Sequence, residues 1–166
     1  MDINITPIPL HDPPGWLPGG HTKLFASDES AGSRTRPGEP DRILVIEDDL
    51  LIATQIETAL TEAGFHVVGV AITGEEAIAL AHKEPPDLAV VDIRLAGDRD
   101  GIDTALELFR SHGVRCIFAS AYSDHEARQR AAPAAPLGWL QKPYSMASLT
   151  ELVRTAANEV RGKGRR

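Results

Sequence analysis

Beyond Pro40 the chain alternates between short runs of Val, Ile and Leu and longer amphipathic windows. Short apolar runs between turn signals read as buried strands, and windows with a period near 3.6 read as helices. This predicts strands over 42–47, 65–71, 87–91, 114–118 and 137–140, with helices over about 50–63, 74–83, 101–111, 124–131 and 146–161. Strict alternation joined by right-handed crossovers predicts an α/β fold, a doubly wound sandwich with helices on both faces of a parallel sheet. In such sheets functional groups gather beyond the carboxyl ends of the strands.

Local signals agree with these helix ends. Asp49 is placed to cap the first helix, Gly64 to end it, Ser145 to cap the last, and Thr73-Gly-Glu-Glu76 reads as a capping box. The first helix is expected to bury Leu51, Ile52, Gln55, Ile56, Ala59 and Leu60. Residues 1–40 hold seven of the twelve prolines and five of the fourteen glycines, which reads as a flexible tail ahead of a domain over 41–161. Residues 162–166 read as a short basic tail.

Composition removes several classes. A net charge of −7 argues against direct DNA binding through a diffuse basic surface, because phosphate neutralisation needs clustered Lys and Arg. The single cysteine, Cys116, excludes an intramolecular disulfide and a cluster of several thiolates. No window approaches the roughly 18 apolar residues of a membrane span, and the N-terminus lacks the pattern of a secretory signal, so the expected location is cytoplasmic.

The strand ends carry the chemistry. The first ends in Glu47-Asp48-Asp49, the third in Asp92, the fourth near Ser120, and the fifth runs to Lys142-Pro143. If the first and third strands are neighbours, Glu47, Asp48 and Asp92 meet, and their mutual repulsion calls for a cation. Hard oxygen donors suit Mg²⁺, with Mn²⁺ as a substitute, and the lack of adjacent His or Cys disfavours zinc. Three carboxylates, a hydroxyl and a lysine suit phosphoryl transfer, with Asp92 as nucleophile. Singly, each residue has an ordinary structural role as a helix cap, turn former or solvated surface group. The conjunction on four strand ends carries the inference.

Arg42-Ile-Leu-Val-Ile-Glu-Asp-Asp49, Pro86-Asp-Leu-Ala-Val-Val-Asp-Ile-Arg-Leu95, Ile117-Phe-Ala-Ser-Ala-Tyr122 and Gly138-Trp-Leu-Gln-Lys-Pro-Tyr144 closely resemble the receiver domain of bacterial two-component response regulators. The resemblance implies a (βα)5 flavodoxin-like three-layer fold with strand order 2-1-3-4-5. It implies Asp92 as phosphoacceptor, Glu47, Asp48, Asp92 and the backbone carbonyl of Arg94 as metal ligands, Ser120 as switch hydroxyl and Lys142 as the conserved-type lysine. Trp139 falls at the switch aromatic, where the bulky indole either turns on phosphorylation or simply packs. Implied partners are a sensor histidine kinase or histidine phosphotransfer protein and a downstream protein target. The face of the fourth helix, fifth strand and fifth helix is where receivers pair, compatible with a homodimer.

Some positions depart from the family pattern. The loop after Asp92 lacks the common Met-Pro turn and is longer, which is expected to leave Asp98 and Arg99 free to affect metal access or partner fit. Phe118-Ala-Ser-Ala-Tyr122 only partly matches the Phe-Ala-Thr-Gly-Tyr signature of one receiver subgroup in alphaproteobacteria. Only 24 residues follow Lys142, so the expectation is a single-domain regulator without an output domain, not a conventional enzyme. Rival readings are a haloacid dehalogenase-type phosphatase, opposed by Arg94 where an acid is wanted, and a flavodoxin-like cofactor binder, opposed by the acids after the first strand. A receiver-like interaction module that takes no phosphate is the remaining alternative.

Overall fold

The computed structural model describes residues 39, 41–121 and 125–163. Almost all of the expected leader, and residues 164–166 of the expected basic tail, lie outside them. The elements run β1 (Arg42–Ile46), α1 (Leu50–Glu62), β2 (His66–Ala71), α2 (Gly74–Lys83), β3 (Leu88–Asp92), α3 (Gly101–His112), β4 (Arg115–Ser120), α4 (His125–Ala131), β5 (Gly138–Gln141) and α5 (Met146–Lys163). A 3₁₀ turn over Ala132–Ala134 follows α4. All strands are parallel in the order β2-β1-β3-β4-β5, as the receiver resemblance implies. Among the described residues, no helix is long and apolar enough to cross a membrane.

The sheet is buried on both faces because alternate residues of each strand point to opposite sides. Leu44, Ile46, Val91 and Phe118 pack under α2 and α3 with Ile102 and Leu108. Ile43, Val45, Val90 and Ile117 pack under α1 and α5 with Ile56, Leu60, Leu149 and Val153. Cys116 is fully buried in β4, and burial pushes its thiol up to about 12, which makes it core filler rather than a nucleophile.

Most caps form as expected. Asp49 accepts hydrogen bonds from the N–H groups of Leu51 and Ile52, and Ser145 from that of Ser148. At α2, Thr73 accepts from the Glu76 N–H, but the Glu76 carboxylate reaches one residue further back, to the Ile72 N–H. Gly64 turns the chain after α1 at φ +90°, a conformation that disfavours side chains. β4 runs two residues beyond the expected Phe118, which makes Ser120 the last residue of the strand.

The buried stripe of α1 differs from the expected one. It runs through Ala53, Ile56 and Leu60, while Leu51 and Gln55 are exposed. A small residue allows close helix–sheet packing, and α1 is turned so that Ala53 rather than Leu51 is buried. Leu50 and Leu51 are left 66% and 70% exposed.

Candidate phosphoacceptor and metal site

Strand register brings the predicted residues to one edge. Ile46 lies opposite Val91 between β1 and β3, and Asp92 opposite Ala119 between β3 and β4. Ser120 lies opposite Gln141 between β4 and β5. Glu47, Asp92, Ser120 and Lys142 are therefore each the last residue of a strand or the first beyond it. The Glu47 N–H still donates to the Ala71 carbonyl at 3.0 Å, and the Lys142 N–H to the Ser120 carbonyl at 2.8 Å, so the sheet ladder continues into the site.

Oxygens of Glu47, Asp48 and Asp92 lie within 4.8 Å of one another. Glu47 and Asp92 are buried and Asp48 is exposed. The Lys142 ammonium joins the two buried acids, 2.6 Å from Asp92 Oδ2 and 3.0 Å from Glu47 Oε2. The Arg94 N–H donates to Asp92 Oδ1 at 3.1 Å, so both Asp92 oxygens have a donor. This turn after β3 fixes the carboxylate's orientation. Gly101 is required at the start of α3, because a Cβ there would collide with the Asp92 carbonyl oxygen. Its N–H donates to the Ile93 carbonyl at 2.9 Å, which ties α3 to the acceptor strand.

The charges are strongly coupled. Burial pushes the Glu47 carboxyl above its ordinary value and nearby Asp92 adds to the rise, against the hydrogen bond from Lys142. Burial alone would lower the Lys142 ammonium, but hydrogen bonds to Asp92 and Glu47 outweigh it and hold the group above its usual range. Three clustered carboxylate oxygens, one solvent-facing, fit a hard divalent cation that keeps part of its water shell.

Comparison with known proteins decides the family: the model of the response regulator receiver domain matches residues 43–154. The chain belongs to the response regulator receiver family. Transcriptional regulatory protein PdtaR of Mycobacterium tuberculosis is 34% identical over 122 residues, covering 74% of this chain and 59% of PdtaR. Phyllosphere-induced regulator PhyR of Methylorubrum extorquens is 32% identical over 130 residues, covering 77% of this chain and 48% of PhyR. The chain thus spans about half to three-fifths of the length of these relatives. The signal receiver domain of a modulated diguanylate cyclase from Desulfovibrio desulfuricans G20 superposes with a TM-score of 0.69 at 34% identity, covering 75% of this chain and 99% of that one. A CheY-like receiver domain protein from Methanospirillum hungatei JF-1 gives 0.70 at 25% identity, with the same coverages. Receiver domains are phosphoacceptor signalling domains rather than conventional enzymes, work in two-component systems, and generally bind Mg²⁺ through their acidic cluster.

One expectation for this receiver needs correcting. Arg99 is not free: its Nε lies 3.7 Å from Glu75 Oε1, and its aliphatic stem packs over Gly74 at the start of α2. Arg99, in the loop between β3 and α3, thereby reaches the negative first turn of that helix. Asp98 is exposed, as expected.

Three features at the rim went unread in the sequence. Leu50 and Leu51 stand exposed at the start of α1. An apolar groove of about 450 Å³, lined by Ile52, Gln55, Pro143, Tyr144 and Met146, reaches Lys142. The Tyr144 hydroxyl is buried, and among the described residues no partner accepts or donates to it. Burial raises the Tyr144 phenol above its usual value, with Lys142 opposing. The available signal was Leu51's place on the side of α1 opposite Ala53, Ile56 and Leu60.

Proposed function

We propose that this receiver takes a phosphoryl group onto Asp92 from a phosphohistidine and passes the signal on through phosphorylation-dependent protein contacts. The donor is a sensor histidine kinase or a histidine phosphotransfer protein. An Asp92 oxygen attacks phosphorus, the phosphorus–nitrogen bond breaks, and the imidazole leaves; water later cleaves the acyl phosphate and resets the site. Glu47, Asp48, Asp92 and the Arg94 carbonyl are the proposed Mg²⁺ ligands, and Mn²⁺ can substitute. The cation supplies charge neutralisation for phosphoryl oxygens when bound. Lys142 pairs with one phosphoryl oxygen and the Ser120 hydroxyl donates to another.

The observation that carries this reading is Lys142 held between Asp92 and Glu47, with Asp48 completing a carboxylate cluster at the carboxyl edge of the sheet. The exposed Leu50 and Leu51 beside that edge offer apolar area to the donor protein. Incubation with acetyl phosphate and Mg²⁺ followed by intact mass measurement tests the assignment. One phosphate adduct is expected on the native chain and none on Asp92→Ala; an equal adduct on both refutes it.

A second reading, a receiver-like module that contacts partners without phosphate, draws on the close packing of Trp139 against Phe118. A native chain that takes no adduct would favour it.

A further inference from the structure

Side chains from two elements grip Trp139. Its ring stacks on Phe118 with centroids 4.7 Å apart and planes 29° apart. The guanidinium carbon of Arg128 lies 4.7 Å from the centroid of the same ring. Phe118 stands opposite Trp139 in the β4–β5 register, two residues before Ser120, and Trp139 stands three residues before Lys142. Arg128 comes from α4. The ring therefore links that helix to the two strands whose ends carry the hydroxyl and the lysine of the site.

Helix α4 is tied down a second time. Arg130 donates to Asp100 Oδ2 at 2.8 Å and to Asp103 Oδ1 at 3.3 Å. Asp100 caps α3, the helix that follows the acceptor loop, by accepting from the Asp103 N–H. Two residues apart on a helix, Arg128 and Arg130 point in different directions, so α4 holds β5 with one arginine and α3 with the other. An Arg cation over a Trp ring is a strong pairing of its kind, and the partly solvent-facing geometry here places it at the weaker end of the range.

We propose that Arg128 is a positioning residue for Trp139: its guanidinium holds the indole where it rests in the unphosphorylated protein, so any motion of the ring must break this contact and loosen α4. The coupling to phosphorylation rests on the reading of Asp92 as phosphoacceptor; the grip on the ring does not. Loss of Arg128 should free the ring and ease conversion of the site, by about 2- to 5-fold for a contact of this class.

The test uses the full chain carrying Trp16→Phe, which leaves Trp139 as the one indole, because the chain has two tryptophans. Arg128→Gln removes the cation, and Arg128→Lys retains one. Acrylamide quenching of Trp139 should rise about 2-fold in the Gln variant and return most of the way in the Lys variant. The beryllofluoride concentration at half-maximal fluorescence change, with Mg²⁺ present, should fall about 3-fold in the Gln variant. Unchanged quenching in Arg128→Gln overturns the grip on the ring. Raised quenching with an unchanged beryllofluoride midpoint overturns the coupling. If beryllofluoride binds neither protein, the reading of Asp92 fails, and the quenching result alone still decides whether Arg128 holds the ring.

Discussion

Replacing Lys142 with Met keeps the aliphatic stem and removes the charge that two buried acids share. In the native chain the ammonium lies 2.6 Å from Asp92 and 3.0 Å from Glu47, whose side chains are 10% and 3% exposed, while Lys142 itself is 22% exposed. Removing one partner of a buried ion pair costs about 3–5 kcal/mol, and the residual exposure of Lys142 puts this case near about 3 kcal/mol. The uncompensated acids within 4.8 Å repel by about 3.5 kcal/mol at an effective dielectric constant of about 20, which is the force behind that cost. For a domain of this size the melting temperature should fall by about 12 °C at pH 8. The deficit should depend on pH in a defined sense. Glu47 already titrates above its ordinary 4.5 because of burial, and loss of the Lys142 hydrogen bond raises it further. A carboxyl raised on folding contributes stability below its unfolded value and loses it as pH rises through the folded value. The gap between variant and native chain should therefore be small near pH 5 and full near pH 8. Saturating Mg²⁺ should narrow it, since ligand at about 100 times Kd adds about 2.7 kcal/mol and no ammonium competes in the variant. Differential scanning fluorimetry at pH 5 and 8, with and without Mg²⁺, gives the four values needed. A deficit independent of both pH and Mg²⁺ would refute the electrostatic account and assign the loss to packing of the lysine stem.

Further outcomes follow from single features of the site and core. Gly101→Ala should cost about 2–4 kcal/mol, because its Cβ meets the Asp92 carbonyl, and urea unfolding should show the lower midpoint. Cys116 is raised on folding to about 12, so the folded chain favours the protonated thiol and stability should fall above the unfolded value of about 8.5, by about 1.4 kcal/mol per pH unit from this group. Urea unfolding between pH 8.5 and 10.5 should show that slope reduced in Cys116→Val. Leu50→Ser with Leu51→Ser should leave the melting temperature within about 2 °C, since both side chains are exposed, while slowing phosphotransfer from a histidine phosphotransfer protein more than from acetyl phosphate. Equal slowing with both donors would contradict a docking role.

The framework was readable because each level of sequence signal pointed to the same answer. Short β-branched apolar runs such as Ile43 to Ile46, bounded by turn signals, favour buried strands over helices, and the residues directly after them are placed by register once strand order is known. Glu47, Asp92 and Lys142 could thus be drawn together from separate parts of the chain. What escaped depends on side-chain reach and helix rotation, which periodicity does not fix. Arg99 could not be seen to extend to Glu75, nor Arg128 to lie over Trp139, because neither pairing has a sequence spacing that announces it. The exposure of Leu51 was hidden by the small Ala53, which apolar counting undervalues and packing favours.

On the proposed reading of Asp92 as phosphoacceptor, the arrangement around Lys142 ties a bound cation to the phosphoryl chemistry. Glu47, Asp48 and Asp92 bring three negative charges and Lys142 one positive, a formal balance of −2. With Lys142 bonded to both buried acids, its ammonium is already occupied by the charges it must offset. A phosphoryl group arriving at Asp92, as proposed, would add further negative charge where Glu47 and Asp48 already repel it. The ammonium has three N–H donors and gives two of them to these carboxylates, so a phosphoryl oxygen would share its charge with both acids unless the charge on Glu47 is met by something else. A dication held by the acidic cluster matches the −2 balance and would release the lysine from that duty. On the proposed reading, one ammonium serving two carboxylates is the reason phosphoryl transfer to Asp92 would depend on a divalent cation. Glu47→Gln, which lessens that duty, should weaken Mg²⁺ binding while lowering the pKa of Lys142.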